Sequence, residues 1–256
     1  MDFEHPQDND FAKAERHGIS PEVIEKIEQF DKASLIDIDK AYILLVLADE
    51  KPAAALGLHQ KRNEDGEAFK KKVEALRTLL RDAGLYVAEQ EKEFEGSSIY
   101  NYVISKDPLA AEKLIQMYGM DKDPAKTEQF GLMMGYPPTA VAAVVESFKN
   151  EGGFDTSIEP ELPEEIQFQE YMAFKNIILS KDHWQEELAT VKRWAAAVKE
   201  ISPNLYHEMT SVREMIKNMR EENPEDLENR LHDDQFRRFI KFRDPDLYKE
   251  LTVGEK

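Results

Sequence analysis

The sequence has no cysteine among its 256 residues. This absence excludes disulfide bonds, thiolate metal sites and cysteine nucleophiles together. It also agrees with a reducing compartment, where disulfides are rare. Thiol chemistry is therefore outside what this protein can perform.

Long apolar runs are missing as well. The longest extends from Ala41 to Ala48, far short of the roughly 20 residues that cross a bilayer as a helix. The start, Met1 to Glu4, has no basic stretch followed by an apolar one, so it does not resemble a secretory leader. We expect a cytoplasmic protein that is neither exported nor inserted into a membrane.

Positive charge is scarce, with 34 Lys and Arg against 52 Asp and Glu and a net charge of −18. Residues 1–50 carry −8 and residues 151–256 carry −9, whereas residues 51–150 are nearly balanced at −1. Such a field opposes binding to nucleic acid or anionic lipid, which depends on cationic side chains. Only the basic patch at 61–81 offers a place for a small anionic ligand or an RNA backbone.

Several well-known catalytic motifs are absent too, among them HExxH, GxSxG, the P-loop and GxGxxG. The six histidines are scattered, and a pair such as His183 with Glu187 falls short of the three or four ligands that zinc needs. We predict no metal site and no cofactor. Whether the protein is an enzyme stays open at this stage.

What the chain does have is a set of clear helix starts. In each, a side chain that can cap an amide of the first turn precedes a proline, which has the helical φ and lacks the unneeded donor. The six pairs are Ser20-Pro21, Asp107-Pro108, Asp123-Pro124, Ser202-Pro203, Asn223-Pro224 and Asp244-Pro245. A further stretch, Glu67 to Ala83, has apolar residues spaced 4, 3, 4 and 3 apart, which predicts an amphipathic helix.

Strands are predicted in the first half of the chain. Ala41–Ala48 and Ala53–His59 flank a turn at Asp49 to Pro52 and suggest one hairpin, while Leu85–Val87 and Ile99–Ile104 suggest a second. This order predicts an α+β protein with a small antiparallel or mixed sheet of two hairpins, helices packed on one face, and a mainly helical C-terminal third.

The chain divides most naturally near residues 150–163, which are rich in Gly, Pro and acidic residues. We predict an α+β domain at 1–149, then an acidic linker or surface loop at 150–163. A mainly helical region at 164–256 follows, either separate or part of the same domain. Within it, Glu165 to Ser180 fits either a last strand or the opening of a helix.

The most distinctive local stretch runs from Phe130 to Val141. Gly135 can end one helix in the left-handed conformation, and the prolines after Tyr136 can begin the next, so the stretch predicts a tight corner between two helices. The spacing of Gly131 and Gly135 indicates close helix packing in a soluble chain.

At this corner the chain resembles uncharacterised prokaryotic proteins that carry Leu-Gly-Tyr-Pro-x-Cys-Cys-Val between two helices. The resemblance is confined to the stretch around Met134 to Val141, and Thr139 and Ala140 stand where those proteins have paired cysteines. It implies a prokaryotic protein with the same corner and with Tyr136 in it. It implies no activity, and any cysteine chemistry of those proteins is lost here.

Three groups of side chains are candidates for ligand binding. Tyr136 lies at the corner, and Tyr100 and Tyr102 share one face of a predicted strand. The third group belongs to the basic patch, which comprises Lys61, Arg62, Lys70, Lys71, Lys72, Arg77 and Arg81. We single out Lys70, Arg77 and Arg81 as anion-binding residues, although Glu67 can pair with Lys71 at i,i+4 and the patch also fits a solvated helix face. The tyrosine pair fits half-buried sheet packing equally well.

Because no catalytic set emerges, we predict a non-enzymatic binding or regulatory module that acts through protein contacts. The helix predicted at Phe236 to Arg243 has an apolar face that can dock on its own chain, on a second copy or on a partner. The alternative is a small-molecule or anion-binding enzyme whose site combines the Gly-Tyr-Pro corner with the basic helix. A third hypothesis is RNA association through that helix.

Overall fold

The computed structural model of the protein describes residues 17–31, 35–60, 64–94, 97–118, 123–151 and 161–252. Within them lie three β-strands, thirteen α-helices and a 3-10 helix at Glu170–Phe174. The strands are β1 (Ala53–His59), β2 (Tyr86–Phe94) and β3 (Ser97–Ser105). The helices are α1 (Pro21–Gln29), α2 (Asp37–Leu47), α3 (Gly66–Asp82), α4 (Pro108–Met117), α5 (Pro124–Met133), α6 (Pro138–Glu151), α7 (Glu164–Gln167), α8 (Trp184–Ile201), α9 (Pro203–Thr210), α10 (Val212–Glu222), α11 (Pro224–Leu231), α12 (Asp234–Arg243) and α13 (Pro245–Thr252).

All six predicted cap-and-proline starts are confirmed, at α1, α4, α5, α9, α11 and α13. In each, the capping oxygen accepts a hydrogen bond from an amide of the first turn. Asp107, for example, accepts from the amide of Leu109 at 2.9 Å. The predicted amphipathic helix is α3, which the carboxylate of Asp65 caps at the amide of Ala68.

The sheet has the order β1-β3-β2, and both pairings are antiparallel. The predicted second hairpin is confirmed, but its strands are longer than Leu85–Val87 and Ile99–Ile104, because the acidic stretch after Val87 continues β2. Tyr86 of β2 lies opposite Ser105 of β3, and Phe94 lies opposite Ser97. On the other side of β3, Ala53 of β1 also pairs with Ser105. The α+β class, the small antiparallel sheet and the helical C-terminal region are therefore shown.

The first predicted hairpin is wrong, because most of Ala41 to Ala48 belongs to helix α2. The misassignment has a physical cause. Every residue from Asp39 to Leu47 is buried between the sheet and helices α8 and α9, so the helix has no polar face to give it a 3.6-residue period. A short, wholly apolar run is compatible with a buried strand or a buried helix. Ala53–His59 is a strand, but it pairs with β3.

Helices cover both faces of the sheet, contrary to the predicted single layer. Leu56 on β1 and Tyr102 on β3 face the larger core, which includes α2 and α3. Ala53 and Val103 point the opposite way and pack against α4. The alternation of strand side chains accounts for the two small apolar surfaces, each of which needs its own cover.

Residues 165–180 form neither a strand nor the start of a long helix. They comprise the end of α7, the 3-10 helix and an irregular stretch that leads to α8. The buried side chains Phe168, Phe174, Ile177 and Leu179 are spaced six, three and two residues apart. This spacing matches neither the helical nor the strand period, so the segment follows the shape of the core it covers.

The larger core contains side chains from both sides of the predicted linker. Tyr42 of α2 meets Trp194 of α8 edge to face, with ring centroids 5.9 Å apart. A separate cluster, which includes Val212, Ile216 and Ile240, joins the last helices. Residues 152–160 of the predicted linker lie outside the described residues.

Candidate functional site

The Gly-Tyr-Pro corner joins α5 to α6 and confirms the predicted turn. Gly135 has φ +76°. Its amide donates to the carbonyl of Leu132, and the amide of Tyr136 donates to that of Gly131 at 3.1 Å. A side chain at Gly135 would place its Cβ 2.5 Å from Cδ of Pro52. Glycine is therefore needed here both for the backbone conformation and for the approach of the β1 turn.

Gly131 allows the second close approach at this corner. A Cβ on Gly131 would lie 2.7 Å from a methyl carbon of Val141, so α5 and α6 are in direct contact there. The predicted use of the Gly131 and Gly135 spacing for close packing is confirmed. The two glycines bring α5, α6 and the start of β1 together around one point.

A pocket of about 420 Å³ opens beside this corner. Its walls are α5, the corner, α6 and residues 175–178 of the irregular stretch before α8. Most of its lining is apolar, with Tyr136, Asn176, Thr127 and Lys175 as the polar or charged members. The apolar members are Phe130, Gly131, Ala140, Val141, Val144, Ile177 and Ile178. We call it the corner pocket.

Directly behind the corner lies a buried lysine, Lys51, which is only 1% exposed. Its Nζ lies over three aromatic rings, at 4.3 Å from the centroid of Tyr136, 4.9 Å from Trp194 and 5.2 Å from Tyr42. The amine also donates a hydrogen bond to the carbonyl of Met134 at the end of α5. Lys51 thereby links the turn before β1 to the end of α5.

The aromatic cage is formed by elements far apart in sequence. Tyr42 comes from α2, Tyr136 from the corner and Trp194 from α8. The indole N–H of Trp194 donates to the carbonyl of Glu50 at 3.3 Å, which holds the ring against the residue before the lysine. Tyr136 has two roles, because its ring contacts Lys51 and also lines the corner pocket.

Burial dominates the electrostatics of the cage. It lowers the pKa of Lys51 to about 7, because the ammonium form loses its hydration. The three ring faces act in the opposite sense, since they attract a cation. Burial also raises the pKa of Tyr136 to about 12 and that of Tyr42 above its usual range. The buried hydroxyl of Tyr42 lies beside the side chain of Asn176, which lowers the pKa of the phenol and so acts against burial.

A second buried ionisable group, Asp39, lies on α2. Burial raises the pKa of this carboxyl to about 7, and a hydrogen bond from the backbone of Gly57 acts in the opposite direction. Asp39 and Lys51 are thus an acid and a base of the protein interior whose charged forms are both disfavoured by desolvation.

The structure does not unite the candidate residues named from the sequence. Tyr136 lines the corner pocket. Tyr100 and Tyr102 stack on one face of β3, as predicted, with centroids 6.3 Å apart, and Tyr100 packs on Phe69 of α3 at 5.9 Å. Tyr102 is fully buried. Neither strand tyrosine lines the corner pocket, and ligand binding by these two stays a prediction.

The basic helix α3 is accompanied by acids that offset its charge. Arg77 forms a two-pronged pair with Glu89 of β2 and a further pair with Glu74. Lys70 pairs with Glu67 at 3.2 Å, in place of the predicted pair between Glu67 and Lys71. Lys72 pairs with Asp31 and Glu64. Arg81 is exposed at the end of the helix, while Lys61 and Arg62 lie outside the described residues.

Sequence reasoning missed Lys51, Trp194 and Asn176. A lysine before proline in a turn is normally solvated, so nothing local marks Lys51 as buried. Trp194 and Asn176 lie more than a hundred residues from Lys51 along the chain, so no local pattern connects them to it. The one usable signal was the apolar run Ala41–Ala48 before the turn. A residue that follows such a buried segment so closely also lies near the core.

Other classes of site have little structural basis in the part of the chain that is described. No group of three or more His, Asp or Glu side chains there is arranged to hold a metal ion. Glu187, a partner considered for His183, is 1% exposed and accepts from both the amide and the hydroxyl of Ser180. None of the described helices has the length and apolarity needed to cross a membrane.

No protein-family model matches the chain, and no curated protein or solved structure matches it significantly. The resemblance at the Gly-Tyr-Pro corner therefore stays a prediction.

Proposed function

We propose that this protein is a non-enzymatic binding protein that holds a small, largely apolar molecule in the corner pocket. The observation that carries the proposal is the pocket itself. Its volume of about 420 Å³ falls within the range of about 300 to 1,000 Å³ that is usual for small-molecule sites. Its lining is mainly aliphatic, with few polar groups, which is the composition expected for such sites.

The polar groups indicate an uncharged ligand with a single hydrogen-bonding group. Tyr136 and Asn176 line the pocket near the cage. The hydroxyl of Thr127 is already used, because it donates to the carbonyl of Asp123 at 3.0 Å. Lys175 is the one charged residue of the lining, and the apolar walls around it would cost a carboxylate or phosphate more hydration than a single ion pair returns.

Binding without catalysis is favoured because the most chemically distinctive group is enclosed. A nucleophile or general base must lie within about 3 Å of the reacting group, or one water away. The amine of Lys51 is surrounded by three rings, is 1% exposed and is not part of the pocket lining. We assign to Lys51 the role of fixing Tyr136, and with it the inner wall of the pocket.

Two variants of α6 test the proposal with 1-naphthol as the probe. Val144 lines the pocket, so Val144→Phe should fill part of it and weaken 1-naphthol binding at least about tenfold, or 1.4 kcal/mol. Ala142 is exposed on the same helix, so Ala142→Phe is the matched control and should bind as the wild type does. Isothermal titration calorimetry gives the affinities, and circular dichroism checks that both variants fold.

The proposal fails if wild-type protein does not bind the probe, or if Val144→Phe binds it as tightly as Ala142→Phe. Mass spectrometry of small molecules that co-purify from the native cell is the complementary measurement. A recurrent apolar compound released by the wild type, and depleted in Val144→Phe, is the expected result.

The other predicted functions have less support. An enzyme with a joint site at the corner and the basic helix requires Tyr136 and Arg77 to share a pocket, but Arg77 is engaged with Glu89 and Glu74. RNA association through α3 is disfavoured by the same acidic side chains, which offset the positive charge of the helix. Action through protein contacts has less support because the large exposed apolar side chains of the described residues lie on or beside separate elements. They are Ile36, Tyr86, Leu109, Leu132 and Phe242.

A further inference from the structure

A second concave site lies beside α8, and its lining shares no residue with the corner pocket. It is bounded by α8, by residues 168–171, by Tyr206 of α9 and by the end of α12 at Phe242 and Arg243, and its volume is about 500 Å³. We call it the α8 cleft. Its floor is formed by two alanines of α8, Ala195 and Ala196, whose small side chains leave the space open.

Two lysines of α8 flank this floor. Lys192 and Lys199 are seven residues apart, which places them two turns apart on one face of the helix. Both are exposed, and neither has an ion-pair partner within the described ranges. The ammonium of Lys192 lies 5.0 Å from the ring centroid of Tyr171, and that of Lys199 lies 4.9 Å from Tyr206.

Arg243 adds a third positive charge at the inner wall. Its guanidinium donates to the carbonyl of Phe168 at 3.3 Å and to that of Thr210, and it lies 3.7 Å from the carboxylate of Glu170. Glu170 is the one acid in the lining, and its carboxylate also accepts from the hydroxyl of Tyr206 at 2.9 Å. Three cations therefore face one carboxylate, inside a chain whose net charge is −18.

The rest of the lining is aromatic. Tyr171 and Tyr206 lie under the two lysines, and the rings of Phe168 and Phe242, which also line the cleft, are in tilted contact with centroids 5.8 Å apart. Phe242 is 49% exposed, although it belongs to a helix whose Ile240 is fully buried. Helix α12 therefore docks on its own chain and leaves one ring for the cleft. Such surfaces favour a planar apolar group beside the cations.

We propose that the α8 cleft binds a phosphate monoester of a planar aromatic group, with the phosphate between Lys192 and Lys199 and the ring against the aromatic wall. Phosphate is favoured over carboxylate because a phosphate monoester carries nearly two negative charges and three strong acceptor oxygens, which suit two separate ammonium groups better than one carboxylate does. The guanidinium of Arg243 is already occupied by two backbone carbonyls. The acidic field elsewhere on the chain opposes non-specific anion binding, so the interaction depends on these local charges.

Calorimetry at low ionic strength with 1-naphthyl phosphate tests the proposal. Lys192→Gln/Lys199→Gln should lower its affinity at least about tenfold. The control Lys217→Gln/Lys249→Gln removes the same charge from exposed lysines of α10 and α13 and should change the affinity less than about twofold. Glu170→Gln keeps an acceptor for Tyr206 and removes the repelling carboxylate, so it should tighten binding.

Separate probes distinguish the parts of the ligand. Inorganic phosphate should bind more weakly than 1-naphthyl phosphate, and added salt should weaken both. Val144→Phe, which blocks the corner pocket, should leave 1-naphthyl phosphate binding unchanged, so the two sites succeed or fail independently. The proposal is overturned if the two double variants lose affinity equally, if Glu170→Gln weakens binding, or if inorganic phosphate binds as tightly as the ester.

Discussion

Replacing Lys51 by methionine removes a buried amine and keeps a side chain of similar length. Because burial lowers the pKa of Lys51 from 10.5 to about 7, the folded protein binds fewer protons than the unfolded chain between those two pH values. Stability should therefore increase with pH across that window. With these two pKa values, the lysine contributes a rise of about 3 kcal/mol between pH 6.5 and 9.5.

The Lys51→Met variant should lack this rise. The free energies of unfolding are measured in urea by far-UV circular dichroism. The value for the variant should exceed that for wild type most at pH 6.5, and this difference should be about 3 kcal/mol smaller at pH 9.5. Lys113→Met, at an exposed position of α4, controls for the loss of one positive charge.

The refuting result is a difference between Lys51→Met and wild type that stays constant over this pH range. It would mean that the three rings hold the ammonium as well as water does, so that cation–π attraction cancels desolvation. Lys51 would then be a buried cation, and its contact with Tyr136 would be mainly electrostatic.

Two further predictions concern the corner and the core. Gly84 and Gly135 have similar positive φ values, 81° and 76°, but only Gly135 faces Pro52, and a Cβ on Gly84 would meet nothing within 4 Å. Gly84→Ala should cost about 1 kcal/mol of stability and Gly135→Ala about 2 kcal/mol more; equal losses in urea unfolding would contradict the close contact. Asp39, whose folded pKa is raised to about 7, favours the folded state most below pH 3.8 and loses that contribution as pH rises to 7. The free energy of unfolding of Asp39→Asn, relative to that of wild type, should therefore rise by about 3 kcal/mol between pH 4.5 and 7.5. A difference that does not change with pH would show that the carboxyl is ionised in the folded protein.

Local chemistry made a large part of the fold predictable. Helix starts such as Asp123-Pro124 depend on a side chain and an amide within three residues of each other, so no distant contact is needed to specify them. Helix α3 was predictable because one of its faces is solvated and the other packs on the core, which leaves a clear period in the sequence. The left-handed end of α5 follows from Gly135 and the prolines after it.

The errors arose where burial is complete. From Ala41 onward helix α2 is buried on every side, and its helical state depends on the sheet and on α8, which pack against it. The same burial concealed Lys51, since a lysine in a turn acquires its environment only when α2, the corner and α8 meet. Tyr136 was found because the corner that carries it is defined locally.

The sequence by itself determined the helix caps, the α3 amphipathicity, the hairpin of β2 and β3, and the glycine corner, because each depends on residues close together along the chain. It also excluded thiol chemistry outright. Only the tertiary structure decided that α2 is a helix, that Lys51 is enclosed by three rings, and that Lys192 and Lys199 flank an aromatic cleft. Those features depend on which surfaces meet after folding, and burial and desolvation act on them only then.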